Sequence, residues 1–277
     1  MNKYIDLHTH STCSDGTLTP SEVVKLAKDK GLYAIALTDH DTIDGLAEAI
    51  EAGKKCGIEV ITGIEFSVAA DTEIHMLGLG FDLDCPAITE ILGEMIIQRE
   101  KRNHIVIEKL AEIGIHITIE DILAEATSPV TGRSQIAKAM IKKGYVSTVK
   151  EAFDKYLHFG RPAFVERSTL SPEDAIDIIH KSGGKAFLAH LNQTGKTTDE
   201  LYSALSYLKE CGLDGIEGYY TEYTEEMNIA YRKIAEDLGL ILSGGSDFHG
   251  ANKDGYEIGT GKGNLKIPYE ILDKIKL

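Results

Sequence analysis

The segment that follows the first apolar residues of the chain carries side chains suited to bind a metal ion. It reads Asp-Leu-His-Thr-His-Ser-Thr-Cys-Ser-Asp-Gly over residues 6–16. Residues two apart on a β-strand point to the same side, so His8 and His10 can reach one ion together. Asp15 follows five residues later, in a Ser/Gly loop that can fold back over the same place. The segment therefore predicts a metal site at the end of a first strand.

The same arrangement, an apolar run with a His, Asp or Glu near its end, recurs along the chain. A His-x-His pair alone is weak evidence, and the recurrence is what turns it into a pattern. One mononuclear site uses three or four protein ligands, so nine candidates suit two or three ions. The candidate ligands are His8, His10, Asp15, His40, Glu65, His75, His190, Asp247 and His249.

The chemistry of these side chains restricts the kind of ion. Imidazole and carboxylate without thiolate suit Mn²⁺, Fe²⁺ or Zn²⁺ better than an all-oxygen Mg²⁺ site. We expect two to three divalent ions, with manganese as the first expectation and iron or zinc as alternatives. Asp39 stands beside His40, and we expect it to hydrogen-bond a ligand imidazole rather than to bind an ion itself.

Strands and helices alternate around these segments. Thr19, Pro20 and Glu22 form a capping-box start for a first helix. Repeated strand–helix units imply parallel strands with right-handed crossovers, and most candidate ligands follow strand ends, where such folds place their chemistry. His75 breaks the pattern, because it lies early in its run. About seven strands favour an imperfect α/β barrel, and an open doubly wound sheet is the alternative. Strands are expected near 4–5, 33–37, 59–64, 74–80, 185–189, 215–218 and 240–243.

One part of the chain lacks this alternation and is predicted to be helical. We expect a barrel built from residues 1–85 and 161–277, with an inserted helical subdomain over 86–160. The only strand that the insertion suggests is a short one at 115–117. Its helices are expected at 88–110, 119–126, 134–143 and 148–156.

Composition disfavours several classes of partner. The formal net charge is −15, which disfavours duplex DNA, because duplex binding relies on neutralising many phosphates with Lys and Arg. No apolar run approaches the roughly 20 residues that cross a bilayer. Four widely spaced cysteines predict no disulfide framework, and the charged start of the chain predicts no signal peptide. We expect a cytoplasmic protein, and its oligomeric state stays open.

Taken in order, the candidate motifs resemble a known family. His-x-His…Asp, Thr-Asp-His-Asp, Gly-Ile-Glu, Ile-His, Ala-His and Ser-Asp-x-His span residues 6–249, and the set resembles the polymerase and histidinol phosphatase (PHP) family of metal-dependent phosphoesterases. The resemblance implies a distorted (β/α)7 barrel with up to three ions. It implies a first ion on His8, His10, Glu65 and Asp247, a second on Asp15, His40 and His249, and a third on His75 and His190, with Glu65 as a bridge.

Within that family the chain is most similar to 3′,5′-nucleoside bisphosphate phosphatases, some of which are also 5′→3′ exoribonucleases. This implies hydrolysis of a nucleotide-type phosphomonoester, a 3′,5′-bisphosphonucleotide or a short RNA 5′ end, by a hydroxide that bridges two ions. Asp247, His190 and His249 are the candidates for proton transfer. The alternatives are another small phosphate ester, such as histidinol phosphate or a cyclic nucleotide, a non-catalytic metal-binding module, and a metal-dependent C–N hydrolase.

Phosphate groups away from the ions need Arg, Lys or a helix N-terminus. Arg133 and Ser134 start a predicted helix in a stretch that resembles the family's Gly-Arg-x-His segment, with Gln135 in place of the His. Arg161, in Gly-Arg-Pro-Ala, resembles a second family segment. We expect Arg133, Ser134 and Arg161 to contact the substrate. A further departure from the family is Leu191, where a Pro is usual.

Overall fold

A computed structural model describes residues 3–69, 73–125, 131–166 and 170–276. The chain divides into two compact units, Met1–Thr89 with Leu170–Leu277, and Glu90–Thr169. The sequence predicts the corresponding boundaries at residues 86 and 160. The division into two separate domains stays a prediction.

Seven strands of the first unit form one sheet in chain order. The Leu7 N–H donates to the Gly244 carbonyl at 3.0 Å, and the Asp247 N–H donates to the His8 carbonyl at 2.9 Å. These bonds join the last strand to the first, so the sheet is a nearly closed barrel and the predicted distorted barrel is confirmed over the open sheet. The strands are β1 Ile5–Asp6, β2 Ala34–Leu37, β3 Glu59–Ala69, β4 Glu73–Leu79, β5 Lys185–Leu188, β6 Gly215–Tyr220 and β7 Ile241–Gly245.

The expectation that all strands run parallel is wrong for β4. This strand pairs antiparallel with both β3 and β5. Only three residues separate β3 from β4, and so short a connection joins antiparallel strands, whereas a parallel pair needs a crossover of a dozen or more. The reversal explains why His75 lies early in its strand. The first residues of β4 lie at the same end of the barrel as the last residues of β3.

The third strand is longer than the sequence predicts. The sequence predicts its end at Ile64, with Glu65 just beyond that end, but the strand continues to Ala69. The continuation pairs with β4, with Glu65 opposite Leu77 and Ser67 opposite His75. Glu65 therefore projects from a paired strand and not from a loop.

Helices connect the strands and begin where the local sequence predicts. The capping box at α1 is present: the Thr19 side chain accepts from the Glu22 N–H, and Glu22 bonds back to the Thr19 N–H. No helix among the described residues combines the length and the apolar composition that a membrane span requires. The helices that the described residues form are α1 Pro20–Asp29, α2 Leu46–Cys56, α3 Pro86–Glu112, α4 Ile119–Leu123, α5 Arg133–Lys142, α6 Val149–Ala152, α7 Pro172–Lys181, α8 Thr198–Glu210, α9 Glu225–Leu238 and α10 Ile271–Ile275.

Alternate residues of the strands form an apolar cluster in the first unit, as the period of two on a strand requires. Residues of the C-terminal segment, including α10, belong to the same cluster, so the end of the chain packs against the strands. The strands that carry the polar groups described below are therefore held by a buried apolar core. The buried members are Ile5, Leu7, Ala34, Ala36, Ile61, Leu77, Leu79, Phe187, Ala189, Leu265, Ile267, Leu272 and Ile275.

The second unit has its own apolar core, drawn from α3 to α6 and the segments between them. The predicted strand at 115–117 is absent: Ile115 and Ile117 pack into this core without strand pairing. The predicted helix over 148–156 is split into α6 and a π-helical turn, Phe153–Leu157. Ala126, the predicted end of another helix, lies outside the described residues. The buried core residues are Val106, Leu110, Ile115, Ile117, Ile122, Ile136, Ala137, Ala139, Met140, Val146, Ala152, Leu157 and Ala163.

Candidate metal centre

All nine candidate ligands meet at one end of the barrel. Most of them follow the carboxyl ends of parallel strands, while Glu65 lies within β3 and His75 lies near the start of the reversed β4. His8 and His10 follow β1, His40 follows β2, His190 follows β5, and Asp247 and His249 follow β7.

A first group of ligand atoms gathers around Glu65. Its Oε1 lies 3.3 Å from His8 Nε2, and its Oε2 lies 3.2 Å from His10 Nε2. Asp247 Oδ1 is 3.6 Å and 3.5 Å from the same two imidazole nitrogens. Two imidazoles and two carboxylates thus face one point, which is a donor set for a single divalent ion.

A second group lies on the other side of His10. Asp15 Oδ1 is 3.8 Å from His10 Nδ1 and 3.2 Å from His249 Nε2, and Asp15 Oδ2 is 3.8 Å from His40 Nε2. One ligand atom from each of these four residues lies within 4.8 Å of all the others. The family resemblance implies three of these residues, and the geometry adds His10.

A third group shares Glu65 with the first. Glu65 Oε1 lies 3.0 Å from His75 Nδ1 and 2.9 Å from His190 Nε2, and the two imidazole nitrogens are 3.2 Å apart. Glu65 Oε2 lies 2.9 Å from His40 Nδ1. Glu65 therefore stands at the junction of the first and third groups, where a bridging carboxylate would stand.

Several buried donor atoms of this cluster lack a hydrogen bond. An unpaired buried polar atom is costly, so native proteins rarely keep several together without a ligand to satisfy them. A metal ion supplies what these nitrogen and oxygen atoms lack, and the residues present fit such ions. Among the described residues, the unsatisfied atoms of the cluster are His8 Nε2, His10 Nδ1 and Nε2, His40 Nδ1 and Glu65 Oε2.

The protein alone holds this cluster through opposite charges. Burial works against a charge on His8, but the carboxylates of Glu65, Glu217 and Asp247 outweigh it and raise the pKa of His8 well above its usual value. Burial would raise the pKa of Glu65, but the surrounding imidazoles, His40 foremost, hold that pKa well below its usual range. A divalent cation binds the neutral form of an imidazole. It therefore displaces the proton that these carboxylates stabilise on the ring, and metal binding releases protons.

The backbone is strained at the same place. Among the described residues, the only non-glycine residues with positive φ are Asp41 (51°), His190 (24°) and Asp247 (56°). Such angles cost about 1–3 kcal/mol each and persist where the surroundings hold them. Two of these residues are candidate ligands and the third follows His40, so the fold fixes the cluster at an energetic cost.

A glycine is required where β7 meets the end of β1. A Cβ atom on Gly245 would lie 2.1 Å from the Cβ of His8 and 2.5 Å from its backbone nitrogen. Any side chain there would push the two strands apart. Gly245 thus permits the close approach that brings Asp247 to His8.

Sequence reasoning missed several residues that hold the ligands. Glu217, in β6, is fully buried and accepts from His8 Nδ1 at 2.9 Å. Tyr220 donates to Asp247 Oδ2 at 2.9 Å, and the Lys253 ammonium contacts the same oxygen. A signal for Glu217 exists in the sequence, because Gly-Ile-Glu occurs at 215–217 as it does at 63–65.

The role predicted for Asp39 is wrong. Its carboxylate accepts from the Ser11 N–H and hydroxyl, both at 2.7 Å, and from the Ser14 hydroxyl at 2.6 Å. Asp39 therefore fixes the loop between His10 and Asp15 and not an imidazole ring.

The three predicted substrate contacts lie in the second unit. Arg133 is the first residue of α5 and lies over the Phe153 ring at 5.8 Å, while Ser134 and Arg161 are exposed. Gln135, which replaces the family's His, accepts from the Gly132 N–H at 2.9 Å and so caps the helix.

Two further arginines approach the start of α5. A Cβ placed on Gly132 would lie 3.6 Å from a guanidinium nitrogen of both Arg99 and Arg102. Arg102 is buried. Two guanidinium groups therefore lie beside one helix N-terminus, and positive charge and a helix N-terminus each favour an anion.

A nearly closed α/β barrel with imidazoles and carboxylates gathered at one end is the architecture of a metal-dependent hydrolase. Comparison with known proteins agrees: the PHP domain matches residues 6–233. The chain belongs to the PHP domain family and is a metal-dependent phosphoesterase.

Relatives within the family carry different activities. A 5′-3′ exoribonuclease of Haemophilus influenzae is 39% identical over 253 residues, 90% of this chain and 91% of that protein. A 3′,5′-nucleoside bisphosphate phosphatase of Chromobacterium violaceum is 32% identical and covers 92% and 90%. A phosphoribosyl 1,2-cyclic phosphate 1,2-diphosphodiesterase of Eggerthella lenta is also 32% identical, covering 88% and 94%.

The fold is shared with a solved structure from Bifidobacterium adolescentis whose description places it among metal-dependent phosphoesterases. That structure superposes with a TM-score of 0.82 at 27% identity, over 99% of this chain and 95% of the other.

Proposed function

We propose that this protein removes phosphate from a 3′,5′-bisphosphonucleotide and also trims the 5′ end of short RNA. The observation that carries the proposal is the convergence of nine imidazole and carboxylate groups around Glu65, with unsatisfied buried atoms facing one another. Two or three divalent ions, manganese foremost, satisfy those atoms. The nucleotide substrate is supported by the names of the exoribonuclease and bisphosphate phosphatase relatives.

Ions bound there would activate a water molecule as nucleophile and neutralise the oxygens of the transferred phosphoryl group. The chain's own residues then have three tasks: to hold the ions, to orient the ester and to move a proton. In our proposal the ligands are His8, His10, Asp15, His40, Glu65, His75, His190, Asp247 and His249.

Asp247, His190 and His249 are the proposed candidates for proton transfer to or from the ester, and the geometry ranks them. The Nδ1 atom of His249 lies 2.8 Å from the carbonyl oxygen of Asp247, which can only accept, so Nδ1 carries the hydrogen. The Nε2 atom then presents a lone pair toward Asp15. That arrangement favours a ligand role for His249. In our proposal Asp247 and His190 stay both among the ligands and among the candidates for proton transfer.

The second phosphate of the substrate is assigned to the second unit. Arg133 and Ser134 begin α5, where backbone N–H groups and the helix dipole favour an anion, and the Arg99 and Arg102 guanidinium groups add positive charge there. We propose that Arg133, Ser134 and Arg161 contact the phosphate that is not hydrolysed. A terminal phosphate on a single strand satisfies such a site, and the acidic remainder of the chain disfavours duplex DNA.

The test is phosphate release from 3′-phosphoadenosine 5′-phosphate by metal-free protein, with Mn²⁺ added back. Adenosine monophosphates and short 5′-phosphorylated RNA are assayed beside it. Mn²⁺-dependent release with preference for the bisphosphate supports the proposal. Mn²⁺-dependent release without that preference retains the metal centre and rejects the substrate assignment.

A second candidate function is hydrolysis of a cyclic phosphate ester. The name of the Eggerthella relative favours it, because that relative matches this chain as well as the bisphosphate phosphatase does. A ribose 1,2-cyclic phosphate in the same assay panel separates the two candidates: faster turnover of the cyclic ester than of the bisphosphate would replace the first proposal by the second.

A further inference from the structure

The sixth strand differs from the other six of the barrel. Each of the others contains a candidate ligand or is followed closely by one, whereas β6 has none. Two residues of β6 nevertheless hydrogen-bond to three of the candidate ligands. Glu217 bonds to the His8 ring and to the His190 backbone N–H, and Tyr220 bonds to the Asp247 carboxylate.

Both oxygens of the Glu217 carboxylate are engaged, and neither faces the ions' proposed positions. One oxygen lies 2.9 Å from His8 Nδ1, and the other accepts the backbone N–H of His190 at 2.7 Å. The side chain is fully buried. A buried carboxylate is stable only when it is paired and hydrogen-bonded, and these two donors supply that.

The bond to His8 determines which nitrogen of the ring is available. A carboxylate only accepts hydrogen bonds, so Nδ1 of His8 carries the hydrogen. The lone pair of the neutral ring then lies on Nε2, the unsatisfied atom that faces Glu65 at 3.3 Å. Partners of this kind fix the tautomer and the ring orientation of metal-binding histidines.

The bond to His190 holds a strained turn. His190 has φ 24° and ψ 63°, which a side-chain-bearing residue rarely adopts. Beside it, the Tyr223 hydroxyl accepts the Leu191 N–H at 2.8 Å and donates to the Glu217 carbonyl at 3.0 Å. Two consecutive N–H groups after β5 are therefore fixed by residues in and just after β6.

We infer that Glu217, with Tyr223, is a positioning residue that fixes the His8 ring and the His190 backbone so that both present a nitrogen to the ions. The inference rests on the ligand assignment of the proposed function. Glu217 contacts neither the ions nor the ester in this arrangement, and its effect reaches the reaction through the two histidines.

The test compares metal binding by the wild type, Glu217→Gln and Asp214→Asn. Gln has the size of Glu but only one acceptor, so either His8 or His190 loses its partner. Asp214, the residue just before β6, is a matched control, because it also accepts from one imidazole (His180, 2.8 Å) and one backbone N–H (Ala186, 2.9 Å). Affinity is measured by competition with a chelator, and the absorption spectrum of the Co²⁺-loaded protein reports the coordination geometry.

We expect Glu217→Gln to bind metal about 10- to 100-fold more weakly, with an altered Co²⁺ spectrum. Asp214→Asn should match the wild type in both readouts. Wild-type affinity and spectrum in Glu217→Gln would overturn the inference alone, while failure of the wild type to bind metal would overturn the ligand assignment as well.

A milder variant covers the case in which Glu217→Gln does not fold. Tyr223→Phe keeps the ring and removes only the hydroxyl that fixes the Leu191 N–H. Weaker metal binding in a folded Tyr223→Phe protein, with the thermal midpoint of the metal-free form unchanged, supports the inference. Unchanged affinity and an unchanged Co²⁺ spectrum would count against it.

Discussion

The two units of the chain differ in their net charge and in whether their charged groups are buried. Residues 90–169 contain 12 Lys or Arg and 11 Asp or Glu, a net charge of +1, so the remainder carries −16 of the total of −15. In the barrel unit, many acidic and imidazole groups are buried together at one end. In the helical unit, the core is apolar and ion pairs such as Lys142 with Glu125 lie at the surface.

The difference indicates which kind of ion each unit is suited to bind. Buried carboxylates and imidazoles concentrated in one place favour the binding of cations, as the metal centre requires. The helical unit has few buried polar residues in its described part, and these (Arg102, Asn103 and Thr131) lie near the start of α5. A buried guanidinium beside a helix N-terminus adds positive charge where the helix dipole already favours an anion. In our proposal, the barrel unit holds the metal ions and the helical unit contacts a phosphate of the substrate.

The largest expected effect comes from removing a ligand of the barrel unit. His8→Ala and Asp247→Ala should lose metal from the first group. Loss of a residue that only supports a ligand lowers activity up to about 100-fold, and we expect these two variants to lower kcat/KM by more than that. Metal content and phosphate release are measured on the same preparations. His180→Ala, a histidine of the same unit outside the cluster, is the control. Full activity in either ligand variant would contradict the cluster.

A core truncation in the helical unit should separate stability from metal binding. Met140 is fully buried in that unit's core, and Met140→Ala should lower the free energy of unfolding by about 2–5 kcal/mol. Urea unfolding measures the loss. Metal content per folded molecule should stay at the wild-type value, and a parallel loss of metal would show that the two units are not independent in this respect.

Arg133→Gln tests the proposed anion site directly. Loss of one charged hydrogen bond to phosphate should cost about 1.5–3 kcal/mol of transition-state binding, which lowers kcat/KM for the bisphosphate roughly 10- to 150-fold. Turnover of a monophosphate should fall less, and metal content should not change. Lys138→Gln, exposed on the same helix, controls for the loss of one positive charge. Equal losses with both substrates would remove Arg133 from recognition of the second phosphate.

The smallest effect is expected for a surface ion pair. Lys155 and Glu151 lie 2.7 Å apart on an exposed face of the helical unit, and such pairs contribute little because water screens them. Lys155→Met should leave the urea midpoint and kcat/KM unresolved from the wild type. A clear loss of activity alone would mean that the surface around Lys155 takes part in substrate binding.

Much of the barrel could be predicted from sequence because its signals are local. Capping residues fixed the start of α1, and the recurring apolar runs located the strands. Long-range pairing was not visible: nothing local to His75 indicates that β4 runs in reverse, and nothing local to Glu65 indicates that its strand continues to Ala69.

The ligands themselves were easier to find than the residues that support them. A ligand stands out as a polar residue after an apolar run, whereas Glu217 lies within a predicted strand and is absent from the predicted site. The partner that the sequence predicts for Asp39 is wrong. Arg99 and Arg102 are two of several charges on a long helix, and only the fold brings both to the start of α5. Supporting roles depend on which elements become neighbours in space.

The contact between Gly245 and His8 helps to decide whether a distantly related protein with this fold retains its metal site. Position 245 offers no ligand, so a search that scores only the nine candidate residues ignores it. Yet any side chain there would separate β7 from β1 and move Asp247 away from His8. A related protein that retains all nine ligands but replaces this glycine should therefore be classed with relatives that have lost metal binding, because its ligands could no longer assemble.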